Sequence, residues 1–188
     1  IEQITKDSVG DQIRKRLLQP LGLAQTSYPQ TEAMPDPWAH GYELDKKRNW
    51  EDVSNTIPVA FMGSAGEMIS DMTDMRRWIK LYATGKTGGP AGYRPITECK
   101  PFLGNTAFGL GINCSGGWYG YTGALPGYNT ADYYNPATGT TIVAWINYQA
   151  EQPIEGVASV MVRDIARIIT PANVPFVYAS EDLKRLER

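Results

Sequence analysis

What this 188-residue chain has little of narrows its chemistry first. It contains one histidine, His40, and two cysteines, Cys99 and Cys114. No His/Cys set therefore has the spacing of a metal centre. A lone imidazole with no evident orienting partner reads as a polar loop residue, which leaves a Ser-His-acid triad weakly supported. An excess of either charge is lacking too: 18 Lys and Arg stand against 20 Asp and Glu, for a formal net charge of -2. Affinity for a nucleic-acid backbone scales with the phosphates neutralised, so this balance argues against a nucleic-acid partner. The one basic run, Lys46-Lys47-Arg48, is flanked by Asp45, Glu51 and Asp52 and reads as a solvated loop. No apolar run approaches the roughly 20 residues that span a bilayer as a helix. The chain opens at Ile1 with neither Met nor a signal peptide and is read as a processed product or a fragment.

Gly85-Lys86-Thr87 resembles part of a phosphate loop. Lys80 stands where that loop needs its first glycine, however, and the triplet follows a helical pattern instead of leading from a strand into one. Nucleotide binding is rejected on those two counts, and no cofactor is implied.

What is present is an ordinary globular balance, 42% apolar and 20% charged, on a length that suits one domain. If Cys99 and Cys114 pair, they close a loop of about 15 residues, worth about 3 kcal/mol in the chain-entropy model, and imply an oxidising compartment. The other reading is two small buried thiols.

Ile1 to Ile4 has the look of a last helical turn. Ser8, with Asp11 three residues on, predicts a capped helix through Leu18 with Ile13 and Leu17 on its core face, ended by Pro20 and Gly22. Between Tyr28 and Pro58, four prolines (Pro29, Pro35, Pro37, Pro58) predict loop, with a short extended piece at His40 to Leu44. Asp71 caps a second helix through Ala83 whose stripe is Met72, Met75, Ile79 and Tyr82, so its methionines are expected in the core. Strands are expected at 107–113, 118–122, 129–134 and 140–146, the last two separated by the hairpin loop Asn135 to Gly139. A final helix over 154–169 carries Val157, Val160, Met161, Ile165, Ile168 and Ile169 on its expected core face. A helix after antiparallel strands can cover their apolar face, which gives an α+β fold.

The densest local feature is Gly116-Gly117-Trp118-Tyr119-Gly120-Tyr121-Thr122-Gly123-Ala124-Leu125-Pro126-Gly127-Tyr128. Its glycines admit close approach of an extended acyl substrate or of a neighbouring segment, and exposed N–H groups there could hold an oxyanion. A Gly/Tyr-rich hairpin with packing aromatics is the other reading. This run, with Leu17 to Leu23 and Thr26, Gly63 to Ser70 with Asp74 and Met75, Phe108 to Gly111, and Tyr133 to Gly139, resembles the serine β-lactamase-like family. That family includes class C β-lactamases, D-alanyl-D-alanine carboxypeptidases and related esterases. The resemblance runs over roughly residues 1 to 170.

The resemblance implies a β-lactamase/transpeptidase-like fold in which 1–175 is the C-terminal portion of a single domain and 176–188 a charged tail. It also implies chemistry through an acyl-serine. In the family a Ser-x-x-Lys serine attacks a carbonyl, the lysine and the tyrosine of a Tyr-x-Asn motif move protons, and a Lys/His-Thr/Ser-Gly triplet lies beside the substrate. No serine here is followed three places later by lysine. Tyr133-Tyr134-Asn135 spells the second motif after the triplet instead of before it and is read as structural. The triplet matches Tyr121-Thr122-Gly123, with a neutral phenol where the family carries a cation, which weakens recognition of a substrate carboxylate. Lys86-Thr87-Gly88 spells the triplet in a post-helix loop and ranks below it.

By this analogy Tyr121 and the backbone N–H of Ala124 are the catalytic candidates, and Thr122 and Gly123 bind substrate. The expected reaction is hydrolysis of a peptide, amide or ester, with a D-Ala-D-Ala carboxypeptidase-like enzyme as one form. The alternative is a non-catalytic peptidoglycan- or peptide-binding relative. Expected partners are an N-terminal segment of the same protein, in the same chain or a separate one, a small acyl or peptide substrate, and a second copy through exposed apolar surface. The expected location is the periplasm, the cell envelope or the outside of a bacterial cell.

Overall fold

Short strands that each fold back on the one before make the main sheet, seen in a computed structural model whose described residues are 1–29, 31, 34–87, 96–148 and 156–178. Its strands are β3 (Lys100–Leu103), β4 (Thr106–Phe108), β5 (Asn113–Ser115), β6 (Trp118–Leu125), β7 (Tyr128–Asn135) and β8 (Thr140–Ile146), in the order β3-β4-β5-β6-β7-β8. All five pairings are antiparallel. A separate hairpin joins β1 (Tyr42–Leu44) to β2 (Trp50–Asp52), and its turn is the basic run 46–48. Asp45 Oδ1 accepts the N–H groups of Lys47 and Asn49 there. The short extended piece expected near His40 is therefore β1, and β2 is an addition to the reading.

The single strand expected over 107–113 is instead two. Gly111 takes a positive φ of 72° and reverses the chain between β4 and β5. β3 had not been anticipated. Its partner β4 and the Cys99–Cys114 disulfide, which ties the residue before β3 to the middle of β5, hold it in place.

Alternation along the strands splits the core in two. On one face Trp118, Ala131, Tyr133, Ile142 and Ala144 pack with Phe176 and with Ala158, Val162 and Ala166 of helix α5 (Val157–Ile169). The expected contact face of this helix is corrected: Met161, Ile165, Ile168 and Ile169 are exposed at 43%, 37%, 81% and 51%. The residues that touch the sheet are the small ones, because Trp118 and Tyr133, both fully buried, fill the space that larger helix residues would need. Asn129 Oδ1 accepts the Ala158 N–H at 2.8 Å and so satisfies one orphan donor of the helix start.

On the opposite face Ile79 and Ala83 of α4 (Met72–Ala83) pack with Ile112 and Tyr134, flanked by the two bonded cysteines. Asp71 caps α4 as expected, accepting from Asp74 N at 2.7 Å. The methionine stripe is not the core, since Met72 is 51% exposed and Met75 half-buried. Asp74, itself buried, accepts from Gln25 N at 2.7 Å and Thr26 Oγ1 at 2.9 Å, which fastens the segment after the N-terminal helices to α4.

Those N-terminal helices are α1 (Glu2–Thr5), then α2 (Val9–Ile13), a π turn over Arg14–Leu18 and α3 (Gln19–Leu21) without a break. Ser8 caps α2 as expected, accepting from Asp11 N at 3.0 Å. Pro20 does not end the helix. The wider π turn accompanies a ring that would crowd the carbonyl four residues back in a regular helix, and the chain stops at Gly22 with φ 65°.

Candidate active site

β6 and β7 are joined by a two-residue turn, Pro126-Gly127, which closes on the Leu125↔Tyr128 pair. Antiparallel ladders alternate hydrogen-bonded and non-bonded pairs, so Leu125, Gly123 and Tyr121 bond to β7. The N–H and C=O groups of Ala124 and Thr122 point the other way. On that other side β5 pairs with β6 only as far as Asn113↔Gly120. From Tyr121 onward the outer edge of β6 has no strand against it among the described residues, and Tyr121, Thr122, Gly123 and Ala124 are all exposed. The four residues named from the sequence thus lie together on one open strand edge.

The turn that ends this edge is braced from outside. Gly127, at φ 75°, packs so closely that a Cβ on it would lie 2.5 Å from the Gly41 carbonyl carbon. Its N–H donates to Glu43 Oε1 at 3.2 Å, and the Tyr128 hydroxyl donates to the Ala39 carbonyl at 2.8 Å. His40, in the same loop, does have an orienting partner that sequence reading missed: its Nδ1 lies 2.8 Å from Asp52 Oδ2, and its ring stacks on Trp38 with centroids 4.2 Å apart. The Ser54 hydroxyl, the Ser54 N–H and His40 together hold the Asp52 carboxyl down at about 2. That partnership arises only when the β1–β2 hairpin brings residue 52 back beside residue 40.

On the inner side of the edge, a cavity of about 430 Å³ opens between β6, β7 and α4, lined by Trp78, Tyr82, Tyr121, Thr122, Thr130 and Asp132 among others. The aromatic border continues outward: Phe108 lies 6.5 Å from Tyr121 and 5.3 Å from Phe102, both edge-on. Asp132 was not singled out from the sequence, yet it is the buried carboxyl of this cavity, and burial raises its pKa to about 7 against the lowering effect of the Trp145 indole N–H.

The remaining motif candidates fall elsewhere. Tyr133, Tyr134 and Asn135 are buried at the far end of β7, where Asn135 Oδ1 accepts from Ala137 N and Thr138 N and shapes the β7–β8 turn. This agrees with a structural role. Lys86 and Thr87 follow the end of α4, with the Lys86 N–H on the Leu81 carbonyl; Gly88 lies outside the described residues.

Solved structures share this fold. A D-stereospecific amidohydrolase from Streptomyces sp. superposes with a TM-score of 0.67 at 24% identity, over 78% of this chain and 46% of its own. A D-amino acid amidase from Ochrobactrum anthropi SV3 gives 0.70 at 22%, over 80% and 47%, and a penicillin binding protein from Bacillus halodurans gives 0.69 at 16%, over 79% and 48%. At these identities the likeness is one of fold, and the chain spans about half the length of each. A family model described as Beta-lactamase matches residues 1–166, most of the sequence, and with the sheet and helices found here the chain belongs to the Beta-lactamase family.

Proposed function

We propose that this chain forms the acyl-binding wall of a serine hydrolase that cleaves an amide, peptide or ester through an acyl-serine. The observation that carries the reading is the open edge of β6, where the unpaired backbone groups of Thr122 and Ala124 can receive an extended substrate as an added strand. In this reading the Ala124 N–H is an oxyanion donor, Thr122 orients the acyl segment, and Gly123 lets the substrate backbone lie close. The attacking oxygen comes from a Ser-x-x-Lys serine outside these residues: its proton passes to a base beside it as the oxygen adds to the carbonyl carbon, and the oxyanion is held. The C–N or C–O bond breaks as the leaving amine or alcohol takes that proton, and water then hydrolyses the acyl-serine ester to free the serine. The exposed apolar residues Ile1, Ile4 and Phe61 are the surface on which the rest of the domain packs.

Tyr121 offers no cation to a substrate carboxylate. The reading therefore favours amide or ester cleavage over carboxypeptidase action, in keeping with the amidases named among the fold neighbours. The disulfide supports a location outside the cytosol, in the envelope or beyond it.

A fluorophosphonate probe on the full-length protein tests this. Labelling of a single serine in a Ser-x-x-Lys motif, with acyl-ester turnover abolished by changing that serine, is the expected result. A protein that carries no such motif, or that carries it and neither labels nor turns over, is a binding relative and not a hydrolase.

A further inference from the structure

Asp132 pairs directly with Tyr121 in the β6–β7 ladder, so both side chains stand on the α4 face of the sheet. It is only 8% exposed. One of its oxygens accepts the Trp145 indole N–H at 2.8 Å, and among the described residues no cation forms an ion pair with it. None of the three basic groups of α4 lines this cavity: Arg76 borders a separate groove with Thr141 and Val143, the Arg77 guanidinium lies beside Gly22, and Lys80 sits over the Tyr134 ring, 5.9 Å from its centroid. The other titratable groups lining the cavity are the phenols of Tyr121 and Tyr82, and the residues β8 turns to this face, Thr141, Val143 and Trp145, carry no charge.

A buried carboxyl without a counter-charge is unfavourable, and a valine in its place would suit the strand better. The cavity it borders explains why a carboxyl stands there. Trp78 and Tyr82 present stacked rings 5.2 Å apart and nearly parallel, and Tyr121 closes the side toward the acyl edge. A carboxylate with several aromatic faces around one cavity is the chemistry that recognises an organic ammonium ion, whose charge pairs with the carboxylate while the ring faces take the rest. We propose that the cavity bounded by Asp132, Trp78, Tyr82 and Tyr121 is a subsite for a protonated amine on the substrate, so that the acyl groups accepted carry a free amino group. The proposal rests on reading Tyr121 to Ala124 as an acyl groove. Because burial keeps the empty site's carboxyl protonated up to about pH 7, entry of an ammonium ligand below that pH expels one proton to solvent.

The test uses the full-length protein and its Asp132→Asn variant, whose side-chain oxygen can still accept from Trp145. Calorimetry at pH 8 with 2-phenylethylamine and with its N-acetyl derivative reads the subsite directly. The wild type should bind the free amine at least about tenfold more tightly, and Asp132→Asn, with an unchanged circular dichroism spectrum, should lose that preference. Equal binding of the two probes by the wild type, or a preference that survives the substitution, overturns the proposal. Hydrolysis of alanine p-nitroanilide and its N-acetyl analogue links the subsite to the groove. In Asp132→Asn, kcat/KM should fall about tenfold for the free amine and less than about threefold for the acetylated compound; an equal fall for both overturns the substrate assignment. If the wild type cleaves neither anilide, the acyl-groove reading fails, and the calorimetry still decides the subsite.

Discussion

The indole N–H of Trp145 donates to Asp132 Oδ1 at 2.8 Å across the β7–β8 pair, and among the described residues it is the one side-chain hydrogen bond to a carboxyl that is only 8% exposed. The bond lowers the pKa, but burial outweighs it and raises the value from 3.8 to about 7.

The sign of this shift predicts how stability varies with pH. Between pH 4 and 7 the unfolded chain has released the Asp132 proton while the folded chain retains it, so stability falls as pH rises through that window. The rise from 3.8 to about 7 corresponds to about 4 kcal/mol at most. Asp132→Asn should therefore be more stable than the wild type by about 2 to 4 kcal/mol at pH 8 and nearly equal to it at pH 4. Urea denaturation at the two pH values measures the difference, and a pH-independent difference would show that ionisation is not its cause.

The Cys99–Cys114 bond ties together two segments 15 residues apart and lies against the cluster of Ile79, Ala83, Ile112 and Tyr134. Replacing both cysteines with serine should lower stability by about 3 kcal/mol, and dithiothreitol should do the same to the wild type but nothing to the double variant. Thermal melts with and without reductant check this.

Gly127 meets two demands at once, a φ of 75° and backbone contact with Gly41. Gly127→Ala should lose more than about 2 kcal/mol. Since the turn ends the open edge, substrate KM should rise with it. Gly139 also has a positive φ, 70°, but open space around it, so Gly139→Ala should cost only the conformational part, about 1 kcal/mol. A pair of melting curves separates the two contributions.

The sequence made legible what is local. Ser8 and Asp71 announce their helices because an N-cap needs only a side chain and a backbone N–H three residues on. The strands from Trp118 onward show in their aromatic and β-branched content. The inner face of α5 could not be read this way: its large residues Met161, Ile165 and Ile168 look like the core stripe, and only the bulk of Trp118 and Tyr133 on a distant strand selects Ala158, Val162 and Ala166 instead. The position of Tyr121 to Ala124 on a free edge depends on where β5 stops, which residues 121–124 do not encode. Asp132 left no local signal, since a single aspartate in a strand reads the same whether its side faces water or a closing helix. His40 and Asp52 are partners only through a hairpin whose second strand, Trp50 to Asp52, is exposed throughout and carries no apolar alternation.

The free edge gives the most direct test of the assigned chemistry. Proline in a sheet is tolerated only where its missing N–H would face away from the ladder, and the register places the Ala124 N–H on that outer side while the Gly123 N–H bonds to β7. Ala124→Pro should therefore leave the fold standing, with a melting temperature close to wild type, whereas Gly123→Pro should unfold the hairpin. If the Ala124 N–H holds the oxyanion, its removal should lower kcat of the full-length protein by about 10² to 10³ with little change in KM, because the bond tightens only as negative charge develops on the carbonyl oxygen. Steady-state kinetics on an acyl ester, read beside the melting curve, distinguishes this from a packing effect: a properly folded Ala124→Pro protein with wild-type kcat would remove Ala124 from the catalytic assignment.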